Sequence, residues 1–248
     1  MATERTFILT GIEPVASATW RLQLAGDTTG LRVAGQFVMI SVPEFYLRRP
    51  VSVCDCEPGL LTLIVKVMGE GTAALCALRP GREVSLLCGL GNGFDLAACP
   101  KGKEAMIVGG GVGVAPLLLL CKQLREADRH VTAILGFNTR EDIFLEKELE
   151  AAGADVIVAT ADGSAGCQGF VTDAIRMCVL KSDYFYACGP RPMLKALCTQ
   201  LRQPGEVSTE ERMGCGAGIC YGCTCQTTSG PKRTCKEGPV FKKEELVW

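Results

Sequence analysis

The chain has 248 residues and a formal net charge of −1, with 26 Lys and Arg residues against 27 Asp and Glu residues. This length leaves room for more than one domain, and the balanced charge without a basic block argues against a nucleic-acid-binding protein. The 15 cysteines lie in a long chain without a signal-peptide pattern, which argues against a secreted disulfide scaffold. We therefore expect a cytoplasmic protein in which most cysteines are small buried side chains.

The first part of the chain, residues 1–98, is predicted to fold as a small antiparallel β-barrel. Six β-type runs, from TFILT near the N-terminus to EVSLLC, are separated by turn signals such as AGDTTG, EPG and RPG. A short helix is predicted at residues 72–78, directly after GEG. The run RRPVS and the glycine before this helix suit contacts to a dinucleotide, although solvated arginines on an edge strand give the same pattern.

The middle part, residues 99–205, is predicted to be an α/β domain with a parallel sheet. Its strands AMIVGG, VTAILGF, DVIVAT and YFYACG alternate with helical segments, as crossover connections require. The longest uncharged stretch, residues 105–121, contains three consecutive glycines and a proline, which indicate strand, turn and helix rather than a membrane span. The helices are predicted at residues 117–127, 140–152, 171–180 and 191–201.

Three short runs at the carboxyl ends of these strands are candidates for a nucleotide site. VGGGVGVAPL places a glycine turn before a helix, where pyrophosphate can approach backbone N–H groups, but Pro116 stands where G-x-G-x-x-G has its third glycine. A tight strand-to-helix turn is the alternative. ACGPRPML is either a ligand-binding edge or a core cysteine before a helix. Asp162 suits a ribose hydroxyl or an ordinary turn, and Arg140 suits a 2′-phosphate, so NAD and NADP both stay open.

The last part, residues 206–248, is rich in Gly and Cys and has a predicted hairpin turn at residues 229–232. Cys215, Cys220 and Cys223 are spaced C-x4-C-x2-C, and Cys235 follows after eleven residues, which is the plant-type spacing for a [2Fe–2S] cluster. The interspersed glycines let backbone N–H groups approach the sulfurs. A zinc site would normally show a second C-x2-C pair. Cys225 is a fifth thiol, either a substitute for Cys223 or a buried neighbour that binds nothing.

Together these motifs resemble the ferredoxin–NADP reductase superfamily of flavin reductases. The tail ERMGCGAGICYGCTC with CKEGPVF, together with LGNGF at residues 90–94 and DGSAGCQGFVTD at residues 162–173, resembles the electron-transfer subunits of type B (NAD-dependent) dihydroorotate dehydrogenases. The resemblance covers nearly the whole chain. It implies a multidomain α+β fold with an N-terminal FAD-binding β-barrel, a central NAD-binding α/β domain and a small C-terminal [2Fe–2S] domain.

The resemblance also implies the residues of each site and the function. Electrons from dihydroorotate oxidation in an FMN-containing partner subunit would pass through the cluster and FAD to NAD, for pyrimidine biosynthesis, in a heterotetramer without membrane or nucleic-acid partners. The chain itself would carry no catalytic residue, and its lone histidine, His130, is interpreted as a surface residue. The implied cofactor contacts are Arg49, Pro50, Val51, Ser52, Ile64, Val65, Lys66, Gly71 and Thr72 for FAD, Gly111, Gly113, Pro116, Cys188 and Gly189 for NAD, and Cys215, Cys220, Cys223 and Cys235 for the cluster.

Two other functions fit the same motifs. One is an NAD(P)H-dependent reductase subunit that serves a ferredoxin, polysulfide or hydrogenase system, and the other is a redox-sensing iron–sulfur module. One of the related bifurcating and sulfur-reducing enzymes has Asp in place of the first cluster ligand. Cys215 therefore favours the dihydroorotate branch.

Overall fold

The computed structural model describes residues 2–248 and begins with a closed six-stranded barrel. Its strands pair antiparallel in the order β1-β2-β5-β4-β3-β6. Side chains on alternate positions fill the interior, as Phe7 and Leu9 do on β1. The predicted barrel is confirmed. The elements are β1 (Thr3–Ala16), β2 (Thr19–Ala25), β3 (Phe37–Ile40), β4 (Arg49–Glu57), β5 (Leu60–Lys66), α1 (Glu70–Cys76) and β6 (Glu83–Leu90).

The second body is a seven-stranded sheet with helices on both faces, and the predicted parallel α/β architecture is confirmed. The strand order is β10-β9-β8-β7-β11-β12-β15, and every neighbouring pair is parallel except β12 with β15. Helices α2 and α3 join the same apolar core as the barrel, whereas α4 and α5 cover the other face. The elements are β7 (Glu104–Gly110), α2 (Leu117–Glu126), β8 (His130–Phe137), α3 (Glu146–Ala151), β9 (Asp155–Thr160), β10 (Cys167–Gln168), α4 (Val171–Met177), β11 (Tyr184–Cys188), α5 (Arg191–Gln200), β12 (Gly205–Ser208) and β15 (Val240–Lys242).

One predicted helix, residues 140–152, is wrong in its first half. The structure has a 3₁₀ turn at Arg140–Asp142, and α3 begins only after Leu145, which has a left-handed φ of +62°. A residue in this conformation interrupts the hydrogen-bond ladder of an α-helix. Phe144 and Leu145 are both buried, so this segment packs on the core without being helical.

The cysteine-rich part returns to the sheet, which the sequence analysis did not predict. Residues 205–208 form β12 and residues 240–242 form β15, so the cysteine-rich segment is the connection between two neighbouring strands. Within that connection, β13 (Thr224–Thr227) and β14 (Gly230–Arg233) make the predicted hairpin, with the turn at residues 228–229 rather than 229–232. The division of the chain at residues 98/99 and 205/206 stays a prediction.

Asn92 fastens this returning segment to the barrel. Its side-chain amide donates to the carbonyls of Glu237 (3.2 Å) and Val240 (2.8 Å), and its oxygen accepts from the Val240 N–H (3.0 Å). The backbone N–H of Asn92 also donates to Gly238 O at 2.7 Å. One side chain thus satisfies three backbone groups of the returning segment. Within residues 2–248, no helix is long and apolar enough to cross a membrane.

Glu206 is a buried carboxyl group on β12 at the junction of the three parts. Its Oε2 accepts from the Asp95 N–H at 2.9 Å, and Lys242 lies opposite it on β15. Burial and, to a lesser extent, the Asp95 carboxylate raise the pKa of Glu206 to about 7. The hydrogen bond from the Asp95 N–H and the charge of Lys242 lower the pKa and offset part of this increase. The native state therefore holds this proton in a pH range where the unfolded chain has released it.

We expect Glu206 to make the protein less stable as the pH rises from about 4.5 to about 7, because the native state binds more protons than the unfolded chain there. Glu206→Gln keeps the acceptor for Asp95 and removes the titration. The variant should gain roughly 2–3 kcal/mol over wild type between about pH 4.5 and pH 8. Thermal melts across this range measure the gain, with exposed Glu150→Gln as control. Parallel curves for wild type and Glu206→Gln would contradict the prediction.

Candidate redox site

The four cysteines with cluster spacing lie together in the connection between β12 and β13 and just after β14. The backbone N–H of Cys220 donates to Cys215 Sγ (3.4 Å), and that of Cys235 donates to Cys223 Sγ (3.4 Å). Cys223 and Cys235 are buried, Cys215 is half-buried and Cys220 is exposed. The four thiols therefore form two pairs, one inside the protein and one toward the surface.

Backbone N–H groups converge on these sulfurs. Cys215 Sγ accepts from Ala217 (3.4 Å), Ile219 (3.3 Å) and Cys220 (3.4 Å). Cys235 Sγ accepts from Gly218 (3.2 Å), Cys223 Sγ from the Cys235 N–H (3.4 Å), and Cys220 Sγ from Gly222 (3.5 Å). Six backbone donors thus point at four sulfurs, as expected where negative charge is to be stabilised on them.

These donors separate the pKa values of the cysteines. Burial alone would raise the pKa of Cys215, but the three N–H groups outweigh it and lower the pKa to about 6. Burial and the neighbouring Cys223 thiol raise the pKa of Cys235 to about 12. All four cysteines can therefore be deprotonated together only when a bound positive charge offsets the cost of burying negative charge on the inner pair.

The arrangement fits a two-iron cluster. Each iron of a [2Fe–2S] cluster takes two thiolates, and the chain offers two adjacent pairs, Cys215 with Cys220 and Cys223 with Cys235, within one shell of N–H donors. Across residues 2–248, no three His, Cys, Asp or Glu side chains surround a single metal-ion position.

Cys225 lies outside this group. It is buried on β13 in the apolar cluster that contains Phe241 and Leu246, whereas Cys223 and Cys235 belong to a different cluster with Phe37, Met39 and Leu90 of the barrel. Cys223 lies in the loop before β13, which begins at Thr224, whereas Cys225 is on the strand itself. This placement supports the interpretation of Cys225 as a buried neighbour.

The cysteine-rich loop rests directly on the barrel. Gly216 has a φ of +67°, and a Cβ there would lie 2.5 Å from Met39 Cγ on β3. On the other side, Arg233 donates to Gly218 O and stacks on the Tyr221 ring, with its Cζ 4.8 Å from the ring centre. The sequence analysis assigned no role to Met39 or Arg233, because neither belongs to a recognisable motif.

The predicted FAD residues come together on one side of the barrel. Pro50, Val51 and Ser52 follow Arg49 along β4, which pairs with β5, the strand of Ile64, Val65 and Lys66. The Arg49 guanidinium lies against Gly71, where a Cβ would be 2.2 Å from Nη2, and over the Phe45 ring with Cζ at 5.1 Å.

The predicted FAD residues on β5 and before α1 differ in their surroundings. Ile64 and Val65 are buried, and Lys66 approaches Asp142 at 3.7 Å. The Thr72 hydroxyl accepts from the N–H groups of Met68 (2.8 Å) and Gly69 (3.2 Å), so it organises the loop before α1.

The predicted NAD residues meet at the carboxyl edge of the sheet. Gly111 and Gly113 lie in a 3₁₀ turn after β7, and Pro116 precedes α2. A Cβ at Gly113 would lie 2.5 Å from Cys188 O at the end of β11, so glycine permits the turn after β7 to pack against the end of β11. The Cys188 thiol is buried, and burial raises its pKa. The edge therefore presents backbone, including Gly189, rather than the Cys188 sulfur.

Asp162 and Arg140 are joined by Ser164, which the sequence analysis did not single out. Asp162 Oδ1 accepts from Ser164 N (2.9 Å) and Oγ (2.6 Å), and these two bonds lower the pKa of Asp162. Arg140 donates to Ser164 O from Nε (3.0 Å) and Nη2 (2.6 Å). Of the two roles that the sequence allowed for Asp162, a ribose contact or a turn, the structure shows the turn. His130 is exposed at the opposite end of β8 from this edge.

Comparisons with known proteins agree with this geometry. Residues 210–247 match the family model of the iron–sulfur cluster binding domain of dihydroorotate dehydrogenase B, and residues 107–199 match that of an oxidoreductase NAD-binding domain. The chain is 44% identical over 243 residues to the dihydroorotate dehydrogenase B (NAD(+)), electron transfer subunit of Bacillus caldolyticus, with 94% of each chain covered. It is 38% identical over 244 residues to the subunit of that name from Fusobacterium nucleatum, again with 94% of each covered.

Solved structures share the fold. The structure of an NADH-dependent reduced ferredoxin-NADP oxidoreductase, described for flavin-based electron bifurcation, superposes with a TM-score of 0.88 at 30% identity and covers 98% of this chain and 90% of its own. The cytochrome b5 reductase domain of Ulva prolifera nitrate reductase has a TM-score of 0.63 at 18% identity, covering 78% of this chain and 89% of its own. The second likeness concerns the fold alone.

We expect Gly216→Ala to displace the cysteine-rich loop from the barrel. The new Cβ would clash with Met39, and alanine is strained at a left-handed φ. Purified protein should contain less iron per chain than wild type and should melt at lower temperature. Gly230→Ala is the matched control, since Gly230 also has a positive φ (+104°) but open space around its Cβ position. Equal iron content in the two variants would show that contact with Met39 does not hold the loop.

Proposed function

The chain belongs to the family of electron transfer subunits of dihydroorotate dehydrogenase B, and from this membership we propose that it passes electrons from dihydroorotate oxidation in a partner subunit to NAD. The observation that carries the proposal is the contact between the cysteine-rich loop and the barrel, where Gly216, Cys223 and Cys235 pack against Met39. A one-electron carrier is useful only close to the group that receives its electrons.

The chain's residues divide into three sets of contacts. Cys215, Cys220, Cys223 and Cys235 would hold the [2Fe–2S] cluster, with the six N–H donors stabilising its charge. Arg49 beside Gly71, with β4 and β5, would hold FAD in the barrel, and the turn after β7 with the end of β11 would hold NAD. When bound, FAD exchanges two electrons with a nicotinamide and single electrons with an iron–sulfur cluster. The protein positions the three groups and sets their surroundings.

The partner is proposed to be an FMN-containing catalytic subunit in a heterotetramer, as the family resemblance implies. Ile219 and Tyr221, here called the loop-tip patch, flank the exposed Cys220 and are 79% and 64% exposed. Apolar side chains so close to the outer cysteine pair suit a protein interface. The fifteen unpaired cysteines support the cytoplasm as the location, since thiols stay reduced there.

We expect Cys220→Ala to abolish NAD reduction by dihydroorotate in the reconstituted complex, because the outer cysteine pair loses one member. Reduction of an artificial acceptor by NADH should persist, since the barrel and the sheet edge are untouched. Stopped-flow absorbance measures both reactions. Cys225→Ala is the control, because Cys225 lies in a separate apolar cluster and should leave both activities in place. Coupled turnover by Cys220→Ala would refute the role of this cysteine.

We expect Ile219→Glu to weaken binding of the catalytic subunit at least about tenfold by placing a charge in the interface. The backbone N–H of residue 219 still reaches Cys215, so iron content should equal that of wild type. Surface plasmon resonance with the partner gives the affinity. Met177→Glu, at an exposed apolar position on a distant helix, is the control. Unchanged affinity for Ile219→Glu would move the interface elsewhere.

The likeness to the NADH-dependent reduced ferredoxin-NADP oxidoreductase favours a ferredoxin system as the second candidate. Replacing the catalytic subunit and dihydroorotate with reduced ferredoxin in the same assay distinguishes the two. NAD or NADP reduction by ferredoxin, without any by dihydroorotate, would support the second candidate.

A further inference from the structure

One arginine connects the two parts of the chain that carry the proposed cluster ligands. Arg233 is the last residue of β14, two positions before Cys235, and its Nη1 donates to Gly218 O at 2.5 Å. Gly218 lies in the loop between Cys215 and Cys220. The side chain of Arg233 therefore crosses from the strand that leads to the fourth cysteine to the loop of the first two.

The guanidinium of Arg233 is held from three sides. Nε donates to Glu237 Oε2 at 3.0 Å, and Nη2 donates to Glu237 Oε1. One face lies on the Tyr221 ring, with Cζ 4.8 Å from the ring centre, and the third contact is the bond to Gly218 O. A planar group that is held by a carboxylate and an aromatic ring keeps one orientation. Nη1 therefore points steadily at the loop.

Glu237 is in turn held by the backbone of Arg233. Its Oε2 also accepts from the backbone N–H of Arg233 at 2.8 Å, and the backbone N–H of Glu237 donates to Arg233 O at 2.9 Å. Cys235 lies within this turn, and the Arg233 side chain is only 23% exposed. The turn that presents the fourth cysteine is thus also the base that holds the guanidinium.

The bond to Gly218 O determines where the next backbone N–H points. The peptide group that joins Gly218 to Ile219 is trans, so its C=O and its N–H lie in one plane and point in opposite directions. The carbonyl accepts from Arg233, and the Ile219 N–H donates to Cys215 Sγ at 3.3 Å. A charge-assisted bond at the carbonyl end polarises the group and strengthens the bond from its N–H to the sulfur.

Glycine at position 218 makes this peptide group easy to turn over. Gly218 has a φ of +82°, and glycine occupies positive and negative φ about equally readily. If its carbonyl had no partner, the group could rotate and place its oxygen, rather than its N–H, against Cys215 Sγ. The oxygen dipole would repel the negative charge of a thiolate ligand there. The bond from Arg233 excludes this unfavourable orientation.

We propose that Arg233 is a positioning residue: its bond to Gly218 O keeps the Ile219 N–H on Cys215 Sγ and so raises the reduction potential of the [2Fe–2S] cluster. Reduction adds one electron, and hydrogen bonds to the ligand sulfurs stabilise the added negative charge. A residue that only supported the loop would not set this potential. The inference rests on the proposed function, since it takes the four cysteines as cluster ligands.

Redox titration of the anaerobic, full-length holoprotein tests the proposal. Dithionite supplies the electron, and low-temperature EPR measures the reduced fraction of the cluster at each potential. Arg233→Gln combined with Glu237→Gln removes both members of the ion pair, so the net charge stays that of wild type. We expect this double variant to lower the ratio of reduced to oxidised cluster about tenfold at a given potential, which corresponds to a midpoint lower by about 59 mV.

Lys236→Gln is the matched control for charge. It removes a positive charge next to Cys235 but keeps the side-chain atoms that pack on Gly218, where a Cβ would lie 3.0 Å from Lys236 Cβ. Its shift should be much smaller than that of the double variant. A shift in Lys236→Gln as large as that in the double variant would overturn the role of the peptide group. A double variant that binds no iron would show that Arg233 only supports the loop, and would also overturn the proposal.

A measurement on the unaltered chain is independent of how the variants fold. After growth on ¹⁵N-labelled isoleucine, pulsed EPR of the reduced cluster should detect coupling to the Ile219 peptide nitrogen through its bond to Cys215 Sγ. Ile219→Leu keeps the N–H without the label and should remove the coupling. Absence of this coupling in wild type would overturn the inference.

The same spectra distinguish this inference from the proposed function. A wild-type chain without the EPR signal of a reduced [2Fe–2S] cluster would refute both. A normal signal with equal midpoint potentials in wild type and the double variant would refute the positioning role of Arg233 alone.

Discussion

The structure depends on the need to bring backbone N–H groups to cysteine sulfurs. Six such groups donate to four sulfurs. These N–H groups are then not available for the backbone hydrogen bonds of a helix or a strand. Such a loop cannot hold its own shape, so neighbouring elements must hold it. Met39 supports it from the barrel, Arg233 from the hairpin, and Asn92 ties down the chain that follows.

The same close approach of backbone recurs at the nucleotide edge. Gly113 meets the carbonyl of Cys188, just as Gly216 meets Met39, and in both places a single Cβ would part the elements. The proposed cluster site and the proposed NAD site thus each have a glycine whose missing side chain lets two parts of the protein touch. The thiol of Cys188 is buried at this contact, which leaves the backbone as the surface that a ligand meets.

Local patterns in the sequence predicted the features that depend on near neighbours. The spacing of Cys215, Cys220 and Cys223 reflects one tight loop, and the alternation of strands and helices reflects one sheet, so both were readable. Strand β15 has three residues and exists only because β12 lies beside it, which no local pattern encodes. Ser164 bonds Asp162 locally, but its link to Arg140 spans 24 positions in sequence, which no local pattern encodes. The contact residues proposed for FAD and NAD rest on family resemblance together with their convergence in space.

The topology of the cysteine-rich segment couples the proposed cluster site to the edge of the nucleotide-type sheet. This segment leaves the sheet at β12 and returns at β15, and these two strands pair with each other. Both ends of the cysteine-rich segment are therefore anchored at the same edge of the sheet. A substitution that separates β15 from β12 would free one end of the segment while leaving the rest of the sheet and the barrel in place.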